Sequence, residues 1–313
     1  MSFEFAEIAR HAAADRTISS EEVMALRREG WGDGRMSREE AEMVFATQHA
    51  IDNPSREWSD FFVEAIRNYV LNGTDPRGFA SAEEAEWLIA QVEADGAVCS
   101  MTELELLTSI IERAQNVPET LKSYVLGVME REVLEGTGPT RCGGELSNSH
   151  VSAAECRIMR RVIFGQASDR PAAVSRREAE VMFRIKDAVA GNDNAPEFKR
   201  LFVQCVGNYL MGFAHASGQI SRERMLELES FVADNKASVG RFMGRMAKQA
   251  PNAFGVVFGS KDNDSSREEQ VAAEAEVTAF EQDWLDAQIA RSGEVDEYDQ
   301  ALLEFIAEET GEA

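Results

Sequence analysis

The sequence predicts an all-α protein, a duplicated helical repeat in which short capped helices alternate with longer third helices. Three observations lead there. Apolar residues recur three and four positions apart almost everywhere, as in Phe61, Phe62, Ala65, Ile66, Tyr69 and Val70, which is the period of a helix with one buried face. Alternating strand patterns are missing. "SREEAEMVF" at Ser37 to Phe45 returns as "SRREAEVMF" at Ser175 to Phe183, and "FFVEAIRNYVLNG" from Phe61 returns as "LFVQCVGNYLMGF" from Leu201. The two offsets, 138 and 140, imply a two-residue insertion between the helices of a duplicated segment.

Each element follows from local signals. Ile18, Met36, Ala80 and Val98 each end a small turn and precede a helix, at spacings of 18, 44 and 18. One unit is therefore two short helices and a longer third, the first two long helices being "WSDFFVEAIRNYVL" and "ETLKSYVLGVMEREVL". The Gly, Pro and Ser of "EGTGPTRCGGELSNS", Glu135 to Ser149, cannot sustain a helix. They place an N-terminal domain at 1–137, a linker at 138–149 and a diverged C-terminal domain at 150–313. Val151 and Val174 begin a third unit, and "SGQISRERM" from Ser217 begins a fourth. The fourth is disturbed: residues 221–231 and 284–295 compete for one place in the repeat, so about 232–275 reads as an insertion. "GSKDNDSS", Gly259 to Ser266, is a second break. The aromatic positions Trp58, Phe61, Phe62, Tyr69, Phe198, Phe202 and Tyr209, with Met211, have the period of core residues.

Composition narrows the function. At 313 residues and 44% hydrophobic content the chain can fill real cores. Its formal charge of −24 is the opposite of what a phosphate backbone attracts, so nucleic acid is not an expected partner. The N-terminus lacks a basic region followed by an apolar core, no run reaches transmembrane length, and four scattered cysteines without CxxC spacing read as reduced thiols. A cytoplasmic location is expected.

The recurring turn admits two readings. Ser19 and Glu22 have capping-box spacing, repeated at Ser37/Glu40, Ser81/Glu84, Ser152/Glu155 and Ser175/Glu178, with Asp296/Asp299 a looser version. In that box the Ser hydroxyl accepts from the N3 amide and the Glu carboxylate accepts from the cap's own amide. The apolar residue before each cap is placed to staple onto the helix, as Ile18 onto Val23. The second reading is a cation loop. Setting Gly34 at position 6 of an EF-hand puts Trp31 at position 3, where an oxygen is required; setting Gly96 there puts Thr102 at position 12, without the bidentate Glu. Capping accounts for Ser and Glu but leaves Asp15, Asp33 and Asp95 to a weaker cation role shared between neighbouring turns.

"ADRTISSEE", "GDGRMSREE" and "EADGAVCSMTE" resemble the "ADG-x-I-S-x-x-E" helix-start signature of TerB-like (tellurite resistance) proteins. The resemblance covers about half the chain through repeated copies. It implies an all-helical domain with an acidic surface, divalent-metal binding, and a role in tellurite or chemical-stress response beside a membrane-bound partner. Mapped onto this sequence, the metal ligands are Asp15, Glu22, Asp33, Glu40, Asp95 and Glu103, with calcium or magnesium, weakly held, as the cofactor. Arg16 replaces the glycine of the signature, and Ser217 and Ser292 stand where Asp is expected, which argues against metal binding in the C-terminal half.

Covalent chemistry has no foothold. The chain lacks a P-loop, a dinucleotide fingerprint, a nucleophile elbow and HExxH. Its four histidines fall on different elements, His49 reading as a surface or packed side chain, and Cys142, His150 and Cys156 match no zinc pattern. An enzyme is not expected. One basic stretch, Asn235 to Lys261, interrupts the acidic background; Lys236, Arg241, Phe242, Arg245 and Lys248 are its expected partner-binding residues, toward a protein or a membrane surface. The sequence thus points to a non-enzymatic stress-response protein acting through divalent metal or protein partners, or else to a metal-independent acidic scaffold or regulatory adaptor.

Overall fold

The computed structural model describes residues 3–30, 36–96, 98, 100–141, 150–165, 174–213 and 282–310. The chain divides into two compact units, Met1–Ser147 with Gly165–Asp169, and Asn148–Phe164 with Arg170–Ala313. The basic stretch with Lys236, Arg241, Phe242, Arg245 and Lys248, the expected insertion at about 232–275 and the competing segment 221–231 all lie outside the described residues.

Every element of the first unit is helical. In order they are α1 (Phe3–Asp15), α2 (Ser20–Gly30), α3 (Arg38–Ala50), α4 (Arg56–Asn72), α5 (Ala82–Val92), α6 (Met101–Arg113) and α7 (Glu119–Glu135). No strand occurs among the described residues; the one backbone bridge joins Phe79 and Asn116. Capping boxes start α3, α5 and α6 from Ser37, Ser81 and Ser100, and Ser19 and Glu22 make the same reciprocal bonds before α2. Gly136 stops α7 in the left-handed conformation at φ 71°, a geometry glycine adopts without a Cβ penalty.

α4 packs on α6 while α1 packs on α3, and α3 runs alongside α4. Their shared core contains Phe5, Phe45, Trp58, Phe61, Phe62, Leu104 and Leu107, all essentially out of water. Tyr69, expected in the core, is only half-buried. Its ring rests edge-on against Trp87 with centroids 5.0 Å apart, at the margin of the packed face.

The second unit comprises α8 (Ala153–Ile163), α9 (Arg176–Val189), α10 (Pro196–Phe213), α11 (residues 282–292) and α12 (Glu297–Thr310). Boxes at Ser152/Glu155 and Ser175/Glu178 start α8 and α9. α10 packs against α9, α8 and α12. The approach to α12 is close at Gly207, where a Cβ would come within 2.4 Å of the Phe305 ring.

Two aromatic frames have matching geometry. In the first unit Phe45 meets Phe62 edge-on at 5.1 Å and Trp87 at 5.8 Å. In the second, Phe183 meets Phe202 at 5.1 Å and Trp284 at 5.7 Å. Tyr69 against Trp87 is matched by Tyr209 against Trp284 at 4.7 Å. The indole N–H of Trp87 points to Glu42 and that of Trp284 to Glu180, while Arg38 and Arg176 lie over the respective indoles. Of the two segments competing in sequence, 284–295 therefore supplies the tryptophan of this frame.

Candidate metal centre

The sequence-derived ligands have separate fates. Asp15 is exposed at the end of α1, followed by Arg16 at φ 58°. The half-buried Glu22 accepts the backbone N–H of Ser19 at 2.9 Å, and the buried Glu40 accepts that of Ser37 at 2.8 Å. Asp33 lies outside the described residues. Only Asp95 and Glu103 come together, and they do so with His49.

His49 sits in the last turn of α3, Asp95 in the turn after α5 and Glu103 at the third position of α6. The turn bends at Gly96, whose φ of 117° disfavours a side chain. One nitrogen of His49 and one oxygen from each carboxylate all lie within 4.8 Å of one another. Among the described residues no other three His, Cys, Asp or Glu side chains converge in this way.

The positioning of these groups is traceable bond by bond. Trp58 in α4 donates its indole N–H to Gln48 at 2.8 Å, and the Gln48 amide donates to the Ser100 hydroxyl at 3.4 Å. That chain ties the end of α3 to α4 and to the cap of α6. Glu103 divides its carboxylate: Oε2 accepts the Ser100 N–H at 3.0 Å, while Oε1 lies 3.4 Å from His49 Nε2. Glu103 is 2% exposed, so the bridging carboxylate is almost dry.

Nε2 of His49 is itself buried and makes no hydrogen bond; at 3.4 Å the Glu103 contact is an ion-pair distance, long for an N–H···O bond. The pKa of His49 is raised, chiefly by the facing Glu103 carboxylate and further by the charge of Asp95, against the opposing effect of burial. Tyr124 in α7 has its hydroxyl kept protonated by burial first and by the negative charge of Glu93 next.

This set fits a divalent cation. Cation-to-donor bonds of about 2.0–2.4 Å put neighbouring donors about 3 to 4.8 Å apart, so the observed spread requires little movement. One imidazole nitrogen with two carboxylate oxygens is a donor set for manganese or zinc more than for calcium or magnesium, which take oxygen alone. With three protein ligands, an ion held there would take its remaining ligands from solvent.

The second unit builds a different centre at the end of α9. Lys186 is fully buried, and its ammonium lies 2.9 and 3.0 Å from the two oxygens of Asp299, 2.7 Å from Asp187 and 3.0 Å from Asp296. The Asp299 contacts are hydrogen bonds; those to Asp187 and Asp296 are close but off the hydrogen-bond directions, so they act as ion pairs. Asp296 caps α12, accepting the N–H of Tyr298 and of Asp299 at 2.8 and 2.9 Å. Burial lowers the pKa of Lys186 less than its three carboxylates raise it, so the net direction is upward.

The two thiols among the described residues offer no alternative chemistry. Cys156 and Cys205 are buried and unbridged, and burial pushes the first to about 12 and the second well above its ordinary value. Thiols held protonated in this way are poor nucleophiles and poor metal ligands.

Sequence reasoning missed one residue of the first centre, His49, and the capping box that holds Glu103. The Ser100/Glu103 box was legible, since Ser and Glu stand three apart there as at the other caps. His49 had no such signal, because nothing local connects it to a turn 46 residues further on. Comparison with protein-family models, curated proteins and solved structures finds no match to this chain. Among the described residues no helix is long and apolar enough to cross a membrane.

Proposed function

We propose that this chain is a non-enzymatic, TerB-like stress-response protein of the cytoplasm that works by binding a divalent cation in its N-terminal unit and presenting that unit to a protein partner. The observation that carries the metal reading is the convergence of His49, Asp95 and Glu103, with a buried imidazole nitrogen that makes no hydrogen bond aimed at a buried carboxylate. The TerB-like assignment and the tellurite or chemical-stress role rest on the "ADRTISSEE", "GDGRMSREE" and "EADGAVCSMTE" motifs, the last of which contributes two of these ligands. Calorimetric titration with manganese, calcium and magnesium tests the metal reading. Binding that disappears in His49→Ala supports it; no heat and no thermal shift at millimolar cation overturns it.

A metal-independent scaffold or adaptor is the second reading. It is favoured by the same 3.4 Å contact, because a protonated His49 pairs with Glu103 and completes the turn without a cation. Pull-down from lysate with residues 235–261 deleted separates the two readings: partner loss unaffected by chelator favours the scaffold, and partner loss reproduced by chelator favours the metal.

A further inference from the structure

The residue correspondence between the two aromatic frames turns the two polar centres into alternative answers to one problem. Phe45 and Phe183 hold the same place in those frames, making edge-on contacts to a Phe at 5.1 Å and to a Trp at 5.8 and 5.7 Å. Three and four residues on, along α3 and α9, come Gln48 and His49 in one unit and Lys186 and Asp187 in the other. The facing helix supplies the acid at its third position, Glu103 in α6 and Asp299 in α12. In each case that acid also accepts the N–H of its own cap residue, Ser100 or Asp296. The same corner of each unit thus gathers anionic oxygens around the residue pair that ends a helix.

What differs is the source of positive charge. In the second unit Lys186 places an ammonium, fully out of water, within 3.0 Å of three carboxylates. A lysine so deeply buried is stable only because those anions surround it. In the first unit the corresponding residue is neutral Gln48, committed to the Trp58 indole at 2.8 Å. Trp58 corresponds, at the offset of 140, to Phe198, which has no N–H to satisfy and leaves Lys186 free to turn toward the acids. The first unit instead offers His49, Asp95 and Glu103 with donor atoms spaced for an external ion.

We propose that Lys186 is a resident cation that does for the C-terminal unit what a bound divalent ion does for the N-terminal unit, so that the residue at position 48 or 186 decides whether a unit takes metal. The described residues of the two units then hold one divalent ion, and the C-terminal unit folds independently of metal. This deepens the metal reading given above and rests on it for the N-terminal half only. A cation surrounded by carboxylates screens their mutual repulsion whether it is an ammonium or a metal ion, and exchanging one for the other changes what the fold depends on from a covalent group to a diffusible one.

The experiment uses the full chain and Mn²⁺ as probe, with stoichiometry read by calorimetry and by electron paramagnetic resonance of the free ion. Wild type is expected to bind one equivalent, Lys186→Gln two, and Trp58→Phe/Gln48→Lys none. In Lys186→Gln the melting temperature should fall in chelator and recover with Mn²⁺, and a variant that folds only when Mn²⁺ is present gives the same answer. Lys186→Gln that takes no additional ion, or that stays unfolded at millimolar Mn²⁺, overturns the proposal, as does full binding by the double variant. If wild type binds nothing while Lys186→Gln binds one equivalent, the metal reading of the N-terminal unit fails and the resident-cation role of Lys186 stands. If wild type binds one and Lys186→Gln still binds one, the reverse holds.

Discussion

Oε1 of Glu103 lies 3.4 Å from Nε2 of His49, across the junction of two helices that are far apart in the chain. Because the other oxygen of Glu103 caps α6 at Ser100, one buried carboxylate serves a local helix start and a tertiary contact together.

Removal of that carboxylate should therefore cost more than removal of an equivalent capping acid elsewhere. Glu84 makes the same box with Ser81 but is not buried, so Glu84→Ala is expected to lose about 0.5–1 kcal/mol. Glu103→Ala also strips the partner from His49 and should lose about 1–3 kcal/mol. Urea unfolding of the two variants in chelator checks the ordering.

The pH dependence of the chelated protein should carry the signature of His49. Its pKa is raised above the ordinary 6.5 by the facing Glu103 carboxylate, so the folded state binds the proton more tightly than the unfolded state. The stabilisation is fully present below about 6.5 and is lost as pH rises through the folded value. Wild type minus His49→Gln, compared by denaturant midpoint between pH 5 and 8, is expected to be largest at the acid end. A difference independent of pH would show that the pair does not form.

In the second unit, Lys186→Met should destabilise by about 3–5 kcal/mol at neutral pH, since it leaves Asp299 charged and dry beside Asp187 and Asp296. Burial already raises the Asp299 pKa against the pull of Lys186, and losing the ammonium raises it further. A carboxylate with a raised folded-state pKa opposes folding when ionised and ceases to do so on protonation. The stability deficit of Lys186→Met relative to wild type should accordingly shrink as pH falls from 8 to about 4.5, measured by calorimetric melting.

Core substitutions in the two aromatic frames should be comparably severe. Phe62 and Phe202 are each fully buried and each meets its frame phenylalanine edge-on at 5.1 Å. Phe62→Ala and Phe202→Ala are expected to cost about 3–5 kcal/mol in their own units, visible as a shift of one melting transition. Gly207→Ala, whose new Cβ would meet the Phe305 ring at 2.4 Å, should cost about 1–3 kcal/mol by overpacking.

Much of the scaffold was legible in the chain because its determinants are local. Ser37/Glu40, Ser81/Glu84, Ser152/Glu155 and Ser175/Glu178 stand three apart, and hydrogen bonds within one turn need no distant partner. Trp58, Phe61 and Phe62 announced their burial through helical period, whereas Tyr69 shares the period yet ends half-buried, because the edge of a packed face is set by its neighbour Trp87. Asp95 and Glu103 were legible as a motif. His49 was not, since its partners follow it by 46 and 54 residues and only the packing of α3 near the start of α6 brings them together.

The sequence by itself determined the helices, their caps, their apolar faces and the acids at each helix start, all of which follow from bonds and periods spanning one or two turns. Tertiary structure alone decided which of those acids meet a cation and which cation it is. Glu103 and Asp299 begin their helices with the same cap geometry. One is brought against an imidazole and the other against a buried ammonium. The physical reason is that charge inside a protein is stable only beside opposite charge, and opposite charge drawn from a distant helix is a property of packing.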